Sequence, residues 1–247
     1  MEPLNRLDGV RLRRDVAHAD DGVARDPRVR PERRAVAWVN RSPLVAAVYD
    51  PIWRRRAAAL LTLGRYRGTR ELEQMTAWAA LQPGDAVLDV GCGSGHYLRA
   101  LHSVQPQALL HGCDLSGAFL AVGARRLARD GIEATLLQAD AHDLPYADAS
   151  FAAVTIGGTP NELRDRQAAF AEAARILRPG GRLWLMASIR GEGPFARAWA
   201  RLLGLSGLDL PTPDALVEDV LAAGFEAGRI EHRPPLLLGR FTRTATG

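Results

Sequence analysis

From residue 83 onward, short apolar segments alternate with amphipathic ones, and this alternation constrains the fold more than any other feature of the chain. The apolar segments are AVLDV, ALLHGCD, ATLLQAD, FAAVTIGG and RLWLMAS, starting at residues 86, 108, 134, 151 and 182. Such runs are typical of strands buried on both faces, and the segments between them have helical periodicity. The pattern therefore predicts an α/β fold with a doubly wound, mostly parallel sheet and helices on both faces. The long helix before the last apolar segment is expected to end at Pro179-Gly180-Gly181.

The chain divides into three parts by composition. Residues 1–41 combine many arginines and acids with few large apolar residues, which predicts a flexible Arg/Asp-rich tail that cannot offset its ordering entropy. Residues 42–82 contain two helical patterns and are expected to form an N-terminal helical lid. Residues 83–247 are expected to form the ligand-binding domain, with GRIEHR and LLLGRFTRT pairing near its end as an antiparallel hairpin.

Charge and cysteine content exclude several classes of protein. The formal net charge is +4, but all 32 basic residues are Arg and they are interleaved with acids, so no nucleic-acid partner is expected. The 2 cysteines are too few for a disulfide framework and lack metal-ligand spacing, which favours a cytoplasmic location and no metal site. No apolar run approaches the ~20 residues that cross a bilayer.

Acidic side chains end successive strands of the predicted sheet, at Asp89, Asp114 and Asp140. Since parallel strands place their carboxyl ends along one edge, these acids are expected at a single ligand-binding rim. A lone Asp at a strand end is commonly a helix cap, but acids in three successive βα units favour a binding crevice.

A glycine-rich loop follows the first of these strands, with glycines at Gly91, Gly93 and Gly95. Glycine permits positive φ and close approach of a ligand to the backbone. The dinucleotide fingerprint would need its third glycine where His96 stands, which disfavours a nicotinamide-dependent oxidoreductase. The preceding Asp89 suits a cationic or amine-bearing ligand better than a pyrophosphate.

Together, VLDVGCGSG, CDLSGAFL, ADAHDLPYADASF and ARILRPGGRLWLM resemble the successive motifs of class I S-adenosylmethionine-dependent methyltransferases. The likeness covers roughly residues 83–190 and is greatest to the broad subgroup containing the ubiquinone/menaquinone biosynthesis methyltransferases. It implies a Rossmann-like fold, S-adenosyl-L-methionine as cofactor, and methyl transfer to a small, lipophilic molecule. A protein that binds this cofactor without transferring methyl stays open as the alternative.

The resemblance also implies roles for individual residues. The loop from Asp89 to Gly95 would hold the methionine part of the cofactor, Asp114 would accept both ribose hydroxyls, and Leu115 would pack on the adenine. Asp140 and the Ala141 backbone would bind the adenine edge, and the backbone around Gly157 would line the methyl-donor side. The implied cofactor-binding set is Asp89, Gly91, Cys92, Gly93, Gly95, Asp114, Leu115, Asp140, Ala141 and Gly157.

The segments expected on the acceptor side contain no catalytic motif. The segment GGTPNEL lacks the Asn/Asp-Pro-Pro-Tyr/Phe element of enzymes that methylate DNA amines, which argues against such acceptors. No catalytic residue is assigned: His142 is a candidate base or a cofactor-edge residue, and Asn161 and Glu162 are acceptor contacts or helix caps. Residues 193–208 alternate apolar residues with Arg, so they either pack on the sheet, cap an acceptor pocket, or make transient contact with a membrane surface.

Overall fold

The computed structural model of the protein describes residues 6–19, 21–30, 68–205, 207–233 and 235–245. The strands are β1 (Arg6–Leu7), β2 (Val10–Arg11), β3 (Val23–Arg25), β4 (Ala86–Val90), β5 (Leu109–Asp114), β6 (Thr135–Gln138), β7 (Phe151–Gly157), β8 (Leu177–Ser188), β9 (Phe225–Arg233) and β10 (Leu236–Arg243). The helices are α1 (Gly68–Ala79), α2 (His96–Val104), α3 (Gly117–Arg129), α4 (Arg166–Ile176), α5 (Gly193–Gly204) and α6 (Pro213–Ala222). A short 3-10 helix spans Thr159–Asn161.

An 8-stranded sheet forms the centre of the molecule, in the order β3-β6-β5-β4-β7-β8-β10-β9. The strands from β3 to β8 are parallel to their neighbours, whereas β10 pairs antiparallel with both β8 and β9. The predicted doubly wound sheet and terminal antiparallel hairpin are thus confirmed. Strand order reverses between β4 and β7, which is where open α/β sheets bind their ligands.

The central strands are buried on both faces because helices cover both sides. Ala86, Leu88 and Val90 belong to a buried cluster that includes α4 and α6 residues, whereas Val87 belongs to a cluster with α1, α2 and α3 residues. Strand side chains alternate between faces, so consecutive apolar residues fill opposite cores. This double burial explains why β4 has no polar position except Asp89.

The boundary between α4 and β8 differs from the expected one. Helix α4 ends at Ile176, and Leu177 already has extended backbone and pairs with Phe151. The register then shifts, so that Arg182 pairs with Ala153. Pro179 is the physical reason, because it has no N–H to continue a helix and disfavours helical backbone in the residue before it.

Residues 1–41 are expected to form a flexible tail, and the described part of that segment contains the strands β1, β2 and β3. Strand β3 extends the sheet as a parallel edge strand, with Val23 opposite Leu136 of β6. Leu7 and Val10 are buried in the main core, although the segment around them is polar. Single apolar residues spaced along an arginine-rich segment therefore suffice for docking onto a sheet edge that is already formed.

Part of the predicted helical lid over residues 42–82 lies outside the described residues, and that part contains the aromatic residues Tyr49, Trp53 and Tyr66. Its last part is α1, which packs against the sheet through the fully buried Met75. The Trp78 indole N–H donates to the Leu183 carbonyl at 3.2 Å. The described part of this region is therefore a fixed layer on one face of the sheet.

Candidate functional site

A cavity of about 700 Å³ opens at the carboxyl ends of the parallel strands, at the reversal of strand order. It is bounded by the glycine loop after β4, the loops after β5 and β6, and the end of β7. The volume lies within the ~300–1,000 Å³ typical of small-molecule sites. Eight residues of the predicted cofactor-binding set line it: Gly91, Cys92, Gly93, Asp114, Leu115, Asp140, Ala141 and Gly157.

The glycine loop needs its glycines for two different reasons. Gly91 has φ +71°, and a Cβ there would lie 1.9 Å from the Thr159 hydroxyl oxygen, so no side chain fits. At Gly93 φ is +53°, but an added Cβ would meet no protein atom closer than the Phe119 ring at 3.6 Å. Both glycines line the cavity. Gly91 therefore serves the fold, whereas the bare Gly93 leaves space in the cavity.

Asp114 ends β5 and its carboxylate holds the neighbouring loops. One oxygen accepts the Gly93 N–H at 2.9 Å and the other accepts the Ser116 N–H at 2.8 Å. Burial raises the pKa of Asp114 above its ordinary value, and the two backbone N–H groups only partly oppose this. A desolvated carboxylate with acceptor capacity left at a cavity wall suits a ligand that brings hydroxyl donors.

Asp140 lies two residues beyond the end of β6, in a tight turn that closes with the Asp143 N–H donating to its carbonyl at 3.0 Å. Its carboxylate contacts the His142 ring nitrogen Nδ1 at 2.5 Å and accepts from Arg164 at 2.8 Å. Burial raises the pKa of Asp140, but the hydrogen bonds from His142 and Arg164 outweigh burial and hold it well below the ordinary range. Asp140 is therefore an ionised acceptor at the cavity wall.

Each ring nitrogen of His142 contacts a neighbouring polar group. Nδ1 faces the Asp140 carboxylate, and Nε2 accepts the Asp165 backbone N–H at 3.3 Å. This pattern requires the proton on Nδ1. The ring thus links the Asp140 turn to the start of α4, and a role as general base would require it to give up the contact with Asp165.

Two members of the predicted cofactor-binding set do not line the cavity. Asp89 is only 3% exposed, and its carboxylate accepts the Thr155 hydroxyl at 2.8 Å. Gly95 has φ +83° at the N-cap of α2 and packs toward Leu127. The structure thus places Asp89 behind the loop, where its carboxylate joins β4 to β7, whereas Asp114 and Asp140 line the cavity.

The side chain of Asn161, considered as an acceptor contact or helix cap, hydrogen-bonds to backbone groups of two neighbouring segments. Its amide donates to the Ser188 and Asp209 carbonyls at 2.7 Å each, and its oxygen accepts the Ser188 N–H. The cap of α4 is instead Asp165, whose side chain accepts from Ala168. Glu162 does line the cavity.

The cysteines are buried thiols, free of disulfide bonds. Burial raises the pKa of both the Cys92 and the Cys113 thiol well above the ordinary value, which makes them poor nucleophiles. Within the described ranges, no group of three or more His, Cys, Asp or Glu side chains is placed to hold a metal ion. Within the same ranges, no helix has the length and apolar character needed to cross a membrane.

The sequence analysis missed one wall of the cavity altogether. The end of β3 and the residues after it line the cavity beside the loop after β6, through Arg25, Asp26, Pro27, Val29 and Arg30. Gln138 was also missed. Its side-chain amide donates to the Leu115 carbonyl at 3.0 Å, and its backbone carbonyl accepts the Asp26 N–H at 3.0 Å. The only available signal was the short apolar pair Val23-Ala24 before Asp26, which could have indicated an edge strand.

The family model described as a methyltransferase domain matches residues 87–181. A demethylmenaquinone methyltransferase of Symbiobacterium thermophilum is 34% identical over 127 residues, which cover 50% of this chain and 49% of the relative. The demethylmenaquinone methyltransferase of Thermotoga maritima is 30% identical over 165 residues, which cover 58% of this chain and 70% of the relative. The chain thus spans about half of the first relative and more than two thirds of the second.

Solved structures with the same fold include the YcgJ protein of Bacillus subtilis, at 18% identity and a TM-score of 0.62, covering 71% of this chain and 99% of that one. A geranyl diphosphate C-methyltransferase of Streptomyces coelicolor is 15% identical with a TM-score of 0.64, covering 71% of this chain and 76% of that one. At these identities the likeness concerns the fold alone.

Fold, cavity and relatives define the class: the chain belongs to the class I S-adenosylmethionine-dependent methyltransferases. The predicted resemblance is confirmed. Within the class, the chain is similar to enzymes named for methylating menaquinone precursors and related naphthoquinones.

Proposed function

We propose that this protein is an S-adenosylmethionine-dependent methyltransferase acting on a small, lipophilic molecule. The observation that carries the proposal is the cavity itself, where the glycine loop, Asp114 and the turn at Asp140 converge at the reversal of strand order. The alternative, a cofactor-binding protein without transferase activity, has no support in the comparisons. The two cysteines, both buried and free, support the proposal of a cytoplasmic location.

The residues that are present fit the cofactor. The space that a Cβ at Gly93 would fill is clear of protein, so the backbone there can approach a ligand closely. Asp114 offers desolvated oxygens to a vicinal diol, Leu115 offers an apolar contact to the adenine, and the Asp140 turn with the Ala141 backbone offers partners to the adenine edge. The glycine loop and Gly157 would then enclose the methionine end.

Bound S-adenosylmethionine supplies a methyl group on a positively charged sulfonium, the electrophile of an in-line displacement. The chain has to align the acceptor with that group and exclude water, which proximity effects can largely accomplish. Gly157 and Gly158 line the cavity at the end of β7, and Met186 and Leu163 make the adjoining wall apolar. This apolar wall is the feature that favours a lipophilic acceptor.

The class of acceptor follows from the relatives and this wall together. Relatives at about 30–35% identity are named for methylating demethylmenaquinone and phytyl-naphthoquinone, which are lipophilic aromatic compounds. We therefore propose a substituted aromatic or isoprenoid small molecule as the acceptor. Nucleic acid is not expected as a partner.

Transient contact with a membrane surface is the second part of this proposal. Leu202 in α5 and Leu205 just after it are 56% and 83% exposed, and the same stretch carries the exposed Arg197 and Arg201. Apolar and cationic side chains on one short segment are what an anionic bilayer surface attracts. Co-sedimentation with phosphatidylglycerol vesicles should fall when Leu202 and Leu205 are changed to Ser, whereas neutral vesicles should bind little of either protein.

The activity is tested by incubating the protein with methyl-labelled S-adenosylmethionine and a demethylmenaquinone or a lipid extract. Label is expected in a product that partitions into organic solvent, and much less with the Asp114→Ala variant. Asp148→Ala serves as the matched control, because Asp148 is an exposed acid that pairs with Arg175 and does not line the cavity. Binding of S-adenosylhomocysteine without any labelled product would favour the alternative, and absence of binding would refute both.

A further inference from the structure

The N-terminal segment brings its own residues to the cavity. Strand β3 lies beside β6 and runs parallel to it, so the residues after β3 emerge at the same edge as those after β6. The Asp26 N–H donates to the Gln138 carbonyl at 3.0 Å, which continues the strand pairing up to the rim. Val29 and Arg30, a few residues further on, line the cavity together with Ala139 and Asp140.

Residues 26–29 form a turn that Asp26 holds in shape. The Asp26 carboxylate accepts the Arg28 N–H at 3.0 Å, and the Asp26 carbonyl accepts the Val29 N–H at 3.2 Å. Asp26 itself is only 4% exposed. Val29, which is half-buried, is thereby fixed at the cavity wall by backbone geometry and not by its own packing alone.

Arg14 ties this turn to the turn that carries Asp140. Its guanidinium donates to the Asp26 carboxylate at 3.0 Å through Nε and to the Asp143 carboxylate at 2.9 Å through Nη1. The Arg14 side chain is 11% exposed and that of Asp26 is 1% exposed, so this ion pair is shielded from solvent, whereas Asp143 is 44% exposed. A planar guanidinium can bridge two carboxylates in this way, whereas a lysine ammonium cannot reproduce the fork.

We propose that residues 26–30 form the outer wall of the adenine subsite, with Val29 contacting the base and Arg14 positioning the wall against the Asp140 turn. The inference rests on the proposed function, because it assigns the ligand at this end of the cavity to the adenosine part of the cofactor. Its physical basis is that adenine presents apolar faces and a polar edge. Leu115 and Val29 supply apolar contacts, and the turn between Asp140 and Asp143 supplies polar ones.

The contact is tested with Val29→Asp, which places a charge at the proposed adenine face. Calorimetry with S-adenosylhomocysteine and with 5′-methylthioadenosine, which lacks the amino-acid end, should show a loss of affinity of at least about tenfold for both ligands. Val104→Asp is the matched control, because Val104 is 57% exposed at the end of α2 and does not line the cavity. That variant should bind both ligands as the unaltered protein does.

The binding results distinguish failure of the proposed adenine wall from failure of the proposed function. If the unaltered protein binds S-adenosylhomocysteine and Val29→Asp binds it equally well, the wall is refuted and the function stands. Loss of affinity for S-adenosylhomocysteine with unchanged affinity for 5′-methylthioadenosine also refutes it, because the contact would then lie at the amino-acid end. If the unaltered protein binds neither ligand, the proposed function itself fails.

Positioning by Arg14 is tested with Arg14→Met and Arg14→Lys, measured below their melting temperatures. Affinity for 5′-methylthioadenosine should fall severalfold in the Met variant and recover in part in the Lys variant. Arg178→Met is the control, because it removes an arginine paired with Asp85 at 3.0 Å outside the cavity lining. Equal affinity in the Met variant and this control would overturn the positioning role.

Discussion

The Asp114 carboxylate accepts the Gly93 N–H at 2.9 Å, so the acid at the end of β5 holds the glycine loop that follows β4. Its other oxygen accepts the Ser116 N–H, at the cap of the next helix. The side chain proposed to bind the ribose therefore also shapes the loop proposed to hold the methionine end. If these assignments hold, this carboxylate couples ribose binding at one end of the cavity to the geometry of the glycine loop at the other.

Replacement of Asp114 by Ala should weaken S-adenosylhomocysteine binding by roughly 1–3 kcal/mol, or about 5- to 150-fold, because charge-assisted hydrogen bonds are lost. Isothermal titration calorimetry measures this directly. Asp148→Ala, which removes an exposed acid elsewhere, should leave the affinity unchanged. Equal affinity in the two variants would show that the ribose assignment is wrong.

The affinity should also depend on acidity. Burial raises the pKa of Asp114 above its ordinary value, and only the ionised form offers both oxygens as acceptors to ribose hydroxyls. Affinity should therefore be constant near neutrality and decline as the pH falls through this raised pKa. Titrations at several pH values should show a smaller decline in Asp114→Ala, and the same decline in both proteins would assign it to another group.

Gly91 and Gly93 should respond differently to Ala. At Gly91 the added Cβ would collide with Thr159, and the alanine would be held at positive φ. The free energy of unfolding should therefore fall by about 1–3 kcal/mol or more. At Gly93 the Cβ would enter open space in the cavity, so the free energy of unfolding should fall only by the backbone strain of about 1 kcal/mol. The affinity for the cofactor should fall sharply, because the Cβ occupies space that the ligand needs. Thermal melts and calorimetry on both variants separate the two effects, and a reversed pattern would contradict the assignment.

Much of the fold was predictable because it rests on local signals. Continuous apolar runs predicted β4, β5 and β7, and Gly91 and Gly93 marked the turn at the reversal of strand order. The position of Asp89 could not be inferred in the same way. An acid near a strand end can face the rim or the neighbouring strand, and only the pairing of β4 with β7, which brings Thr155 beside it, decides between them.

The N-terminal wall could not be predicted, because its order comes from partners far away in the chain. Arg14 and Asp26 have no recognisable pattern between them, and their interaction becomes favourable only when Asp143 and the edge of β6 are in place. Low local hydrophobicity predicts disorder only for a segment that must bury its own surface. A short strand that docks on an existing sheet edge buries its apolar residues in a core that the rest of the domain forms.

His111 on β5 should make the stability of the fold sensitive to acid. It is fully buried beside Tyr146 and Phe151, and among the described residues no group hydrogen-bonds its Nε2. Burial lowers the pKa of His111 to about 4, from about 6.5 in the unfolded chain, although nearby Asp8 raises it.

Because the unfolded chain binds the proton more readily, the contribution of His111 to stability is complete above pH ~6.5 and is lost as the pH falls toward about 4. The loss amounts to about 3 kcal/mol. As the pH falls through this range, urea unfolding should show the unaltered protein losing about this much stability relative to His111→Phe, whose buried ring does not titrate. Since other acids titrate equally in both proteins, their difference isolates His111, and a pH-independent difference would show that the imidazole does not titrate in this window.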